Sequence, residues 1–161
     1  MSSLAPPTAR RPRHRGFTLI EVLVTVVIVA ILAAIALPNF QSSIRKGRRS
    51  DAFTALSAVQ QAQERWRGNN ASYTSDLSAV PVGLGINSTT ASGYYTITSP
   101  GVSATGYTAL ATAASGKSQA EDGDCKLIGV RMAGGNVVYG SGAGAIDFNA
   151  ASPDVGKCWA R

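Results

Sequence analysis

The sequence predicts an α+β fold in which one long N-terminal α-helix packs on a small antiparallel β-sheet. Three observations support this prediction. Residues 17–37 are almost entirely apolar and carry a single charge, and a second helical pattern continues from there to about residue 68. The C-terminal part then contains four short segments that are rich in β-branched and aromatic residues, which are typical of strands.

The first helical stretch is long enough to cross a membrane. Residues 17–37 are almost all Val, Ile, Leu and Ala, and Glu21 is their only charge. As a helix they would extend roughly 31 Å, which matches a hydrocarbon core of roughly 30 Å. A charge in that setting is costly unless it is paired or lies at the end of the segment. Cleavage between Gly16 and Phe17 would create an α-ammonium one turn before Glu21, in the same subunit or a neighbour.

Two other interpretations of this stretch are a secretory signal peptide and an uncleaved membrane anchor. Ala34-Ile35-Ala36 fits an A-x-A cleavage site, as a signal peptide requires. The apolar stretch is longer than the usual signal core, however, and it contains Glu21. The signal peptide is therefore disfavoured, and we also disfavour the uncleaved anchor.

The start of the helix resembles the type III signal of type IV prepilins. The resemblance rests on a basic leader, Gly16, the run Phe17-Thr18-Leu19-Ile20-Glu21, the apolar helix and Pro38. It implies that prepilin peptidase removes residues 1–16 and that the new N-terminal Phe17 is methylated. It also implies that Glu21 pairs with the Phe17 amine during assembly.

Removal of the leader would change the charge balance of the chain. The formal charge of +6 would fall to +2, from 11 Lys+Arg and 9 Asp+Glu, because the leader holds four arginines and no acid. These arginines predict that the N-terminus stays in the cytoplasm and that the remainder is exported. The resemblance implies an inner-membrane protein with a periplasmic C-terminal domain before assembly, and an extracellular pilus afterwards. Residues 69–161 carry a net charge of −1, which on charge alone excludes a strongly basic nucleic-acid-binding module.

Residues 38–68 are expected to form an amphipathic continuation of the helix. Apolar side chains recur at three- and four-residue steps, at Phe53, Leu56, Val59, Ala62 and Trp66. Pro38 lacks an amide donor and predicts a kink. Gly68 is expected to end the helix in a left-handed conformation. Residues 69–161 are then expected to form a globular head domain, in which Tyr73 and Leu77 anchor a variable connection.

The predicted strands form an antiparallel sheet covered by the amphipathic helix face. They span 94–99, 107–112, 126–132 and 136–139, and Ala133-Gly134-Gly135 provides a tight hairpin between the last two.

Cys125 and Cys158 are the only cysteines, and in an exported chain such a pair predicts a disulfide. Closing this loop would be worth roughly 3 to 4 kcal/mol in the chain-entropy model. A metal site is the weaker alternative, because two thiolates without histidine rarely hold zinc. The pair, followed by Trp159, is similar to the C-terminal disulfide-bounded region of type IV pilins.

Two charged clusters invite binding hypotheses. The basic cluster, Arg45, Lys46, Arg48 and Arg49, is expected to reach lipid headgroups or acids of neighbouring subunits, with Asp51 and Glu64 as partners within the helix. The acidic turn, Glu121, Asp122 and Asp124, could bind calcium, but a solvated turn is the favoured interpretation. We predict neither a metal nor a cofactor.

An enzymatic function is not predicted, because the sole histidine, His14, lies in the leader. The resemblance instead implies a structural subunit that polymerises with other pilins through its N-terminal helix, at a pilus assembly platform. Motility, adhesion and DNA uptake all remain open as roles.

Two further functional classes share the N-terminal signal. A pseudopilin of a type II secretion system is disfavoured by the cysteine pair. A DNA-binding minor pilin of natural transformation is suggested by the run from Arg45 to Trp66. Its nucleic-acid contacts would come from a local patch that comprises Lys117, Lys126, Arg131 and Lys157.

Overall fold

The computed structural model describes residues 16–159, and these residues form one helix and one four-stranded sheet. The elements are α1 (Leu19–Arg67), β1 (Tyr95–Val102), β2 (Gly106–Ala113), β3 (Leu127–Ala133) and β4 (Asn136–Gly142), with short 3₁₀ turns at Ser118–Glu121 and Gly123–Cys125. This arrangement confirms the predicted α+β fold. The chain divides into two compact units, Met1–Asn39 and Phe40–Arg161, with the boundary inside α1.

In the first unit, α1 begins directly after Thr18 and continues through Pro38 without interruption. The missing amide of Pro38 leaves the local hydrogen-bond ladder one donor short. Nearby, the side-chain amide of Asn39 donates to the carbonyl oxygen of Ile35 at 3.3 Å. A kink at Pro38 stays a prediction.

In the second unit, the four strands form an antiparallel meander in the order β1-β2-β3-β4. Gly134 and Gly135 have φ angles of 55° and 85°, so they provide the tight turn predicted between β3 and β4. The register of β1 shifts between Thr98 and Gly101, where Pro100 lies in an edge strand. Proline is tolerated there because a bulged edge position needs no ladder amide.

The core lies between α1 and one face of the sheet. Leu56 and Val59 are completely buried, as are Ile128 and Val130 of β3. The predicted cover of the sheet by the helix is therefore confirmed. Gln63 is also completely buried, and its amide donates to the carbonyl oxygen of Thr74 at 2.6 Å.

The opposite face of the sheet is covered by the loop that follows β4. Gly129 and Gly140 make room for this loop, because a Cβ at either position would lie within 3.0 Å of the Ile146 side chain. A Cβ at Gly129 would also lie 2.9 Å from the ring of Phe148. The two glycines thus allow two apolar anchors to reach the sheet.

The helix ends differently from the prediction for Gly68, which does not adopt a positive φ. Instead, the carbonyl oxygen of Trp66 accepts hydrogen bonds from the Asn69 amide at 3.0 Å and from the Asn70 side chain at 2.9 Å. Because asparagine supplies these donors, a left-handed glycine cap is not needed. Beyond it, Tyr73 is buried and Leu77 packs against the core, as expected.

Cys125 and Cys158 form a disulfide with a Cα–Cα distance of 5.8 Å, which confirms the predicted bridge. The bridge places Trp159 beside the core, where its ring stacks on Phe53 at 4.9 Å. The indole N–H of Trp159 donates to the carbonyl oxygen of Gly140 at 2.9 Å. The disulfide thus fixes the C-terminal segment against both the helix and β4.

Alkaline pH is expected to destabilise the second unit through Tyr95 and Tyr107. Burial raises the pKa of each phenol to about 12, from an ordinary value of 10.0. Between these values the unfolded chain has released protons that the folded chain still holds. The free energy of unfolding therefore falls as the pH rises, by about 1.4 kcal/mol per pH unit for each phenol. Denaturant unfolding between about pH 8 and about pH 12 measures this slope.

Tyr95→Phe provides the matched variant, because the Tyr95 hydroxyl is buried without a hydrogen-bond partner among the described residues. We expect this variant to match the parent chain near neutral pH and to have an alkaline slope that is smaller by about 1.4 kcal/mol per pH unit. If the free energy of unfolding fell equally steeply with pH in both proteins, the alkaline effect would not come from the Tyr95 phenol.

Candidate functional site

The N-terminal motif forms an exposed helix start in the first unit. Phe17 is 81% exposed, and Glu21 lies in the first turn of α1. The amide of Glu21 donates to the Thr18 hydroxyl oxygen at 3.3 Å. Thr18 and Glu21 therefore have the spacing of a capping box, and a carboxylate in the first turn is also favoured by the helix dipole.

Our sequence interpretation assigned Glu21 only to a charge pair and missed its position in this cap. The signal was the Thr-x-x-Glu spacing itself. The structure therefore places an exposed carboxylate one turn from an exposed Phe17, held by local backbone geometry.

The following turns of α1 are apolar on all sides and exposed. Leu19 is 82% exposed, Val24 is 46% exposed, and the other large apolar side chains up to Leu37 lie between these values. This stretch is long and apolar enough to cross a membrane. Such a surface requires cover by lipid or by other apolar helices.

The basic cluster on α1 contacts the turn between β2 and β3. The Arg49 guanidinium forms a bidentate pair with the Asp122 carboxylate, at 2.7 and 2.8 Å. Arg45 donates to the carbonyl oxygen of Glu121 at 2.6 Å, and Arg48 donates to the Ser118 hydroxyl. These three arginines therefore contact this turn and not Asp51 or Glu64 of their own helix, whereas contacts of the cluster with lipid headgroups or neighbouring subunits stay a prediction. Their partners in the turn lie 70 to 76 positions away in the chain.

The Arg49–Asp122 pair is largely removed from solvent, with side-chain exposures of 14% and 6%. Hydrogen bonding to Asp122 raises the pKa of Arg49 above its ordinary value, against the opposing effect of burial. Gln119, which is completely buried, donates to the same carboxylate at 2.5 Å. Together these contacts attach the turn to the helix.

The acidic turn is therefore not the solvated turn that was favoured, because Asp122 is buried and paired. Glu121 and Asp124 are exposed. Within residues 16–159, no group of three or more His, Cys, Asp or Glu side chains could hold a metal ion.

Three of the four candidate nucleic-acid contacts lie at one end of the sheet. The backbone amide of Lys117 donates a hydrogen bond to the carbonyl oxygen of Ala114. The carbonyl oxygen of Lys126 accepts one from the amide of Ala113, which is the neighbour of Ala114 in the chain. Lys157 neighbours the same end, because Cys158 is bridged to Cys125. Arg131 lies towards the other end of β3, about 16 Å from Lys126, and donates to the Asn149 side chain at 3.0 Å.

A groove beside α1 joins Lys157 to a lysine that was not among these candidates. It encloses about 570 Å³ and includes Lys46, Lys157, Phe53 and Trp159 in its lining. An adjoining groove of about 510 Å³ shares Trp159 and continues to Tyr139. Sequence reasoning missed this combination, because its residues are distant in the chain and only Lys157-Cys158-Trp159 gave a local signal.

Comparisons with known proteins relate both units to described families. The profile of a prokaryotic N-terminal methylation motif matches residues 11–37. The profile of a family described as "Type IV minor pilin ComP, DNA uptake sequence receptor" matches residues 38–129, more than half of the chain. The chain belongs to the type IV pilin family.

Individual relatives of this pilin are similar over shorter ranges. The type IV major pilin protein PilA of Myxococcus xanthus is 51% identical over 53 residues, which cover 33% of this chain and 24% of that protein. The type IV wide pilus major component PilA4 of Thermus thermophilus is 36% identical over 85 residues, or 53% and 64% of the two chains. The type II secretion system core protein G of Klebsiella michiganensis is 34% identical over 64 residues, or 40% and 45%. The pilin thus matches less than two thirds of the length of each of these relatives.

Arg49→Ala is expected to lower the free energy of unfolding of the second unit by about 3 kcal/mol, because it leaves the buried Asp122 carboxylate without its cation. Lys46→Ala, which removes an exposed cation from the same helix, should change it by less than about 0.5 kcal/mol. Urea denaturation of the full chain in detergent micelles measures both values. Equal effects of the two substitutions would show that the pair does not hold the turn.

Proposed function

We propose that this pilin is a filament subunit that is trimmed after Gly16, methylated at Phe17 and polymerised through its N-terminal helix. The observation that carries the proposal is the exposed apolar surface of residues 17–37, which lies within the match to the methylation motif. Prepilin peptidase is the processing partner in this proposal. The role is structural and requires no catalytic residue.

The route begins in the inner membrane, where lipid covers the apolar helix. The arginine-rich leader keeps the N-terminus in the cytoplasm, and the head domain lies in the periplasm. At the assembly platform, helices of other pilins replace the lipid around residues 17–37. The exchange keeps the apolar surface away from water throughout, so extraction from the membrane does not expose it.

Glu21 then sets the position of each subunit along the filament. Its carboxylate carries a charge that is costly in an apolar environment. The new amine of Phe17 in an adjacent subunit can neutralise this charge when the amine and the carboxylate lie at the same height along the filament axis. A subunit that is displaced along the filament axis leaves the carboxylate unpaired, so the charge pair selects one axial register.

The charge pair predicts that Glu21→Gln leaves cleavage intact but strongly reduces incorporation into filaments, because the amide cannot neutralise the Phe17 amine. Intact mass and N-terminal analysis of the membrane fraction and of sheared filaments measures cleavage and incorporation separately. Glu64→Gln, the same change later in α1, should incorporate normally. Normal incorporation of Glu21→Gln would contradict the charge-pair mechanism.

A second candidate function is DNA binding by a minor pilin. The matching family profile is described as a DNA uptake sequence receptor and extends through most of the head domain to residue 129. The type II secretion relative matches 40% of the chain, and the Cys125–Cys158 disulfide favours a pilus role over a secretion role. Lys117 and Lys126, at one end of the sheet, provide cations for duplex phosphates.

Duplex binding is expected to weaken with salt, with a slope of log K against log salt of about −0.9 for each phosphate contact. Fluorescence anisotropy of a labelled duplex with the full chain in detergent micelles measures this slope. Replacing both Lys117 and Lys126 with Gln should reduce its magnitude by about 1.8. Arg131→Gln, at the other end of β3, should leave it unchanged. Absent or salt-independent binding would remove the DNA-receptor hypothesis.

A further inference from the structure

The two adjoining grooves form one surface beside α1, which we call the C-terminal groove. Both parts share Asp154 and Trp159. One part is lined by Lys46, Lys157 and Phe53. The other passes between Gln60 of the helix and the β4 edge. Each part lies within the roughly 300 to 1,000 Å³ typical of ligand pockets.

The cations at one end of this groove are available to a ligand. Within residues 16–159, neither the Lys46 nor the Lys157 ammonium has a hydrogen-bond or ion-pair partner. Arg49 also lines the groove, but Asp122 neutralises it. Asp154 is the opposing charge, and its Oδ1 already accepts hydrogen bonds from the Ser141 hydroxyl and the Cys158 amide. Two lysines and one aspartate leave the groove with a net positive charge, which favours an anionic ligand.

Three aromatic rings form a row that leads from the part of the groove with the lysines to the other part. Trp159 lies between Phe53 and Tyr139, with ring centroids 4.9 and 4.6 Å away. The Trp159 ring is therefore covered on two sides, whereas Tyr139 at the end of the row is 44% exposed. Packing against Trp159 holds the Tyr139 ring in place, so that it offers a rigid surface for stacking.

We infer that the C-terminal groove binds an unpaired nucleotide of single-stranded DNA, with a base stacked on Tyr139 and phosphates at Lys46 and Lys157. Lysines beside an exposed aromatic ring are the combination that single-strand binding uses, because every base has a face that can stack. A duplex keeps its bases stacked on one another and cannot offer one to Tyr139. The inference rests on the proposed DNA-binding function and extends it to a different strand form.

The experiment compares a labelled oligothymidylate with a labelled duplex on the full chain in detergent micelles, by fluorescence anisotropy. Replacing Lys46 and Lys157 with Gln should weaken single-strand binding and reduce its salt slope by about 1.4, at about 0.7 for each contact. Tyr139→Leu should weaken it about tenfold through the loss of stacking. Tyr139→Phe keeps the ring and should bind like the parent chain.

Two controls separate groove binding from general charge and from misfolding. Arg65→Gln removes an exposed cation that does not line the groove and should leave the oligothymidylate affinity unchanged. Fluorescence of Trp159, isolated by Trp66→Phe, should change when the oligothymidylate binds to this folded variant. An unchanged signal, or equal losses for the groove and Arg65 variants, would overturn the inference.

The outcomes also separate this inference from the DNA-receptor hypothesis. In one outcome, duplex binding depends on salt while the groove variants leave single-strand affinity unchanged. That outcome would refute the inference about the groove and leave the receptor hypothesis intact. Failure of both strand forms to bind would refute both.

Discussion

The head domain depends on the packing of one face of α1 against one face of the sheet. Small and branched side chains of the helix, such as Ala52 and Val59, meet Ile97, Ile128 and Val130 of the strands without remaining exposure above 1%. An apolar sheet face must be buried against another element, and this four-stranded meander has two faces to cover. The helix covers one face, and the loop after β4 covers the other.

This packing also explains the position of the polar contacts. The turn between β2 and β3 projects towards α1, where three arginines meet its backbone, a hydroxyl and the Asp122 carboxylate. The pair between Arg49 and Asp122 is strong because both partners are shielded from water and joined by two hydrogen bonds. The pair attaches the turn to the helix, and the disulfide attaches the end of the same turn, at Cys125, to Cys158.

The elements of the fold could be predicted because they depend on local periodicity. Apolar steps of three and four residues gave the helix, and β-branched runs gave four strands whose observed bounds differ by at most three residues. The polar contacts could not be predicted in the same way. Arg49 and Asp122 lie 73 positions apart, and no local pattern marks them as partners.

The same limit applies to the candidate binding surface. The sequence identified Lys157 but not Lys46, because a groove between a helix and the chain end exists only after folding. Buried glutamines give a second example. Gln63 and Gln119 look like ordinary surface residues in the sequence, yet each is completely buried and bonded to a distant segment.

The way in which the last loop is anchored has a consequence for how this surface can vary. Ile146 and Phe148 reach the sheet through the space left by Gly129 and Gly140, whereas Gly144 lies in open space. Changes of length or sequence around Gly144 would therefore leave the anchors and the sheet undisturbed. The loop can diverge between otherwise similar pilins, and it is a suitable position for displaying a foreign peptide on the head domain.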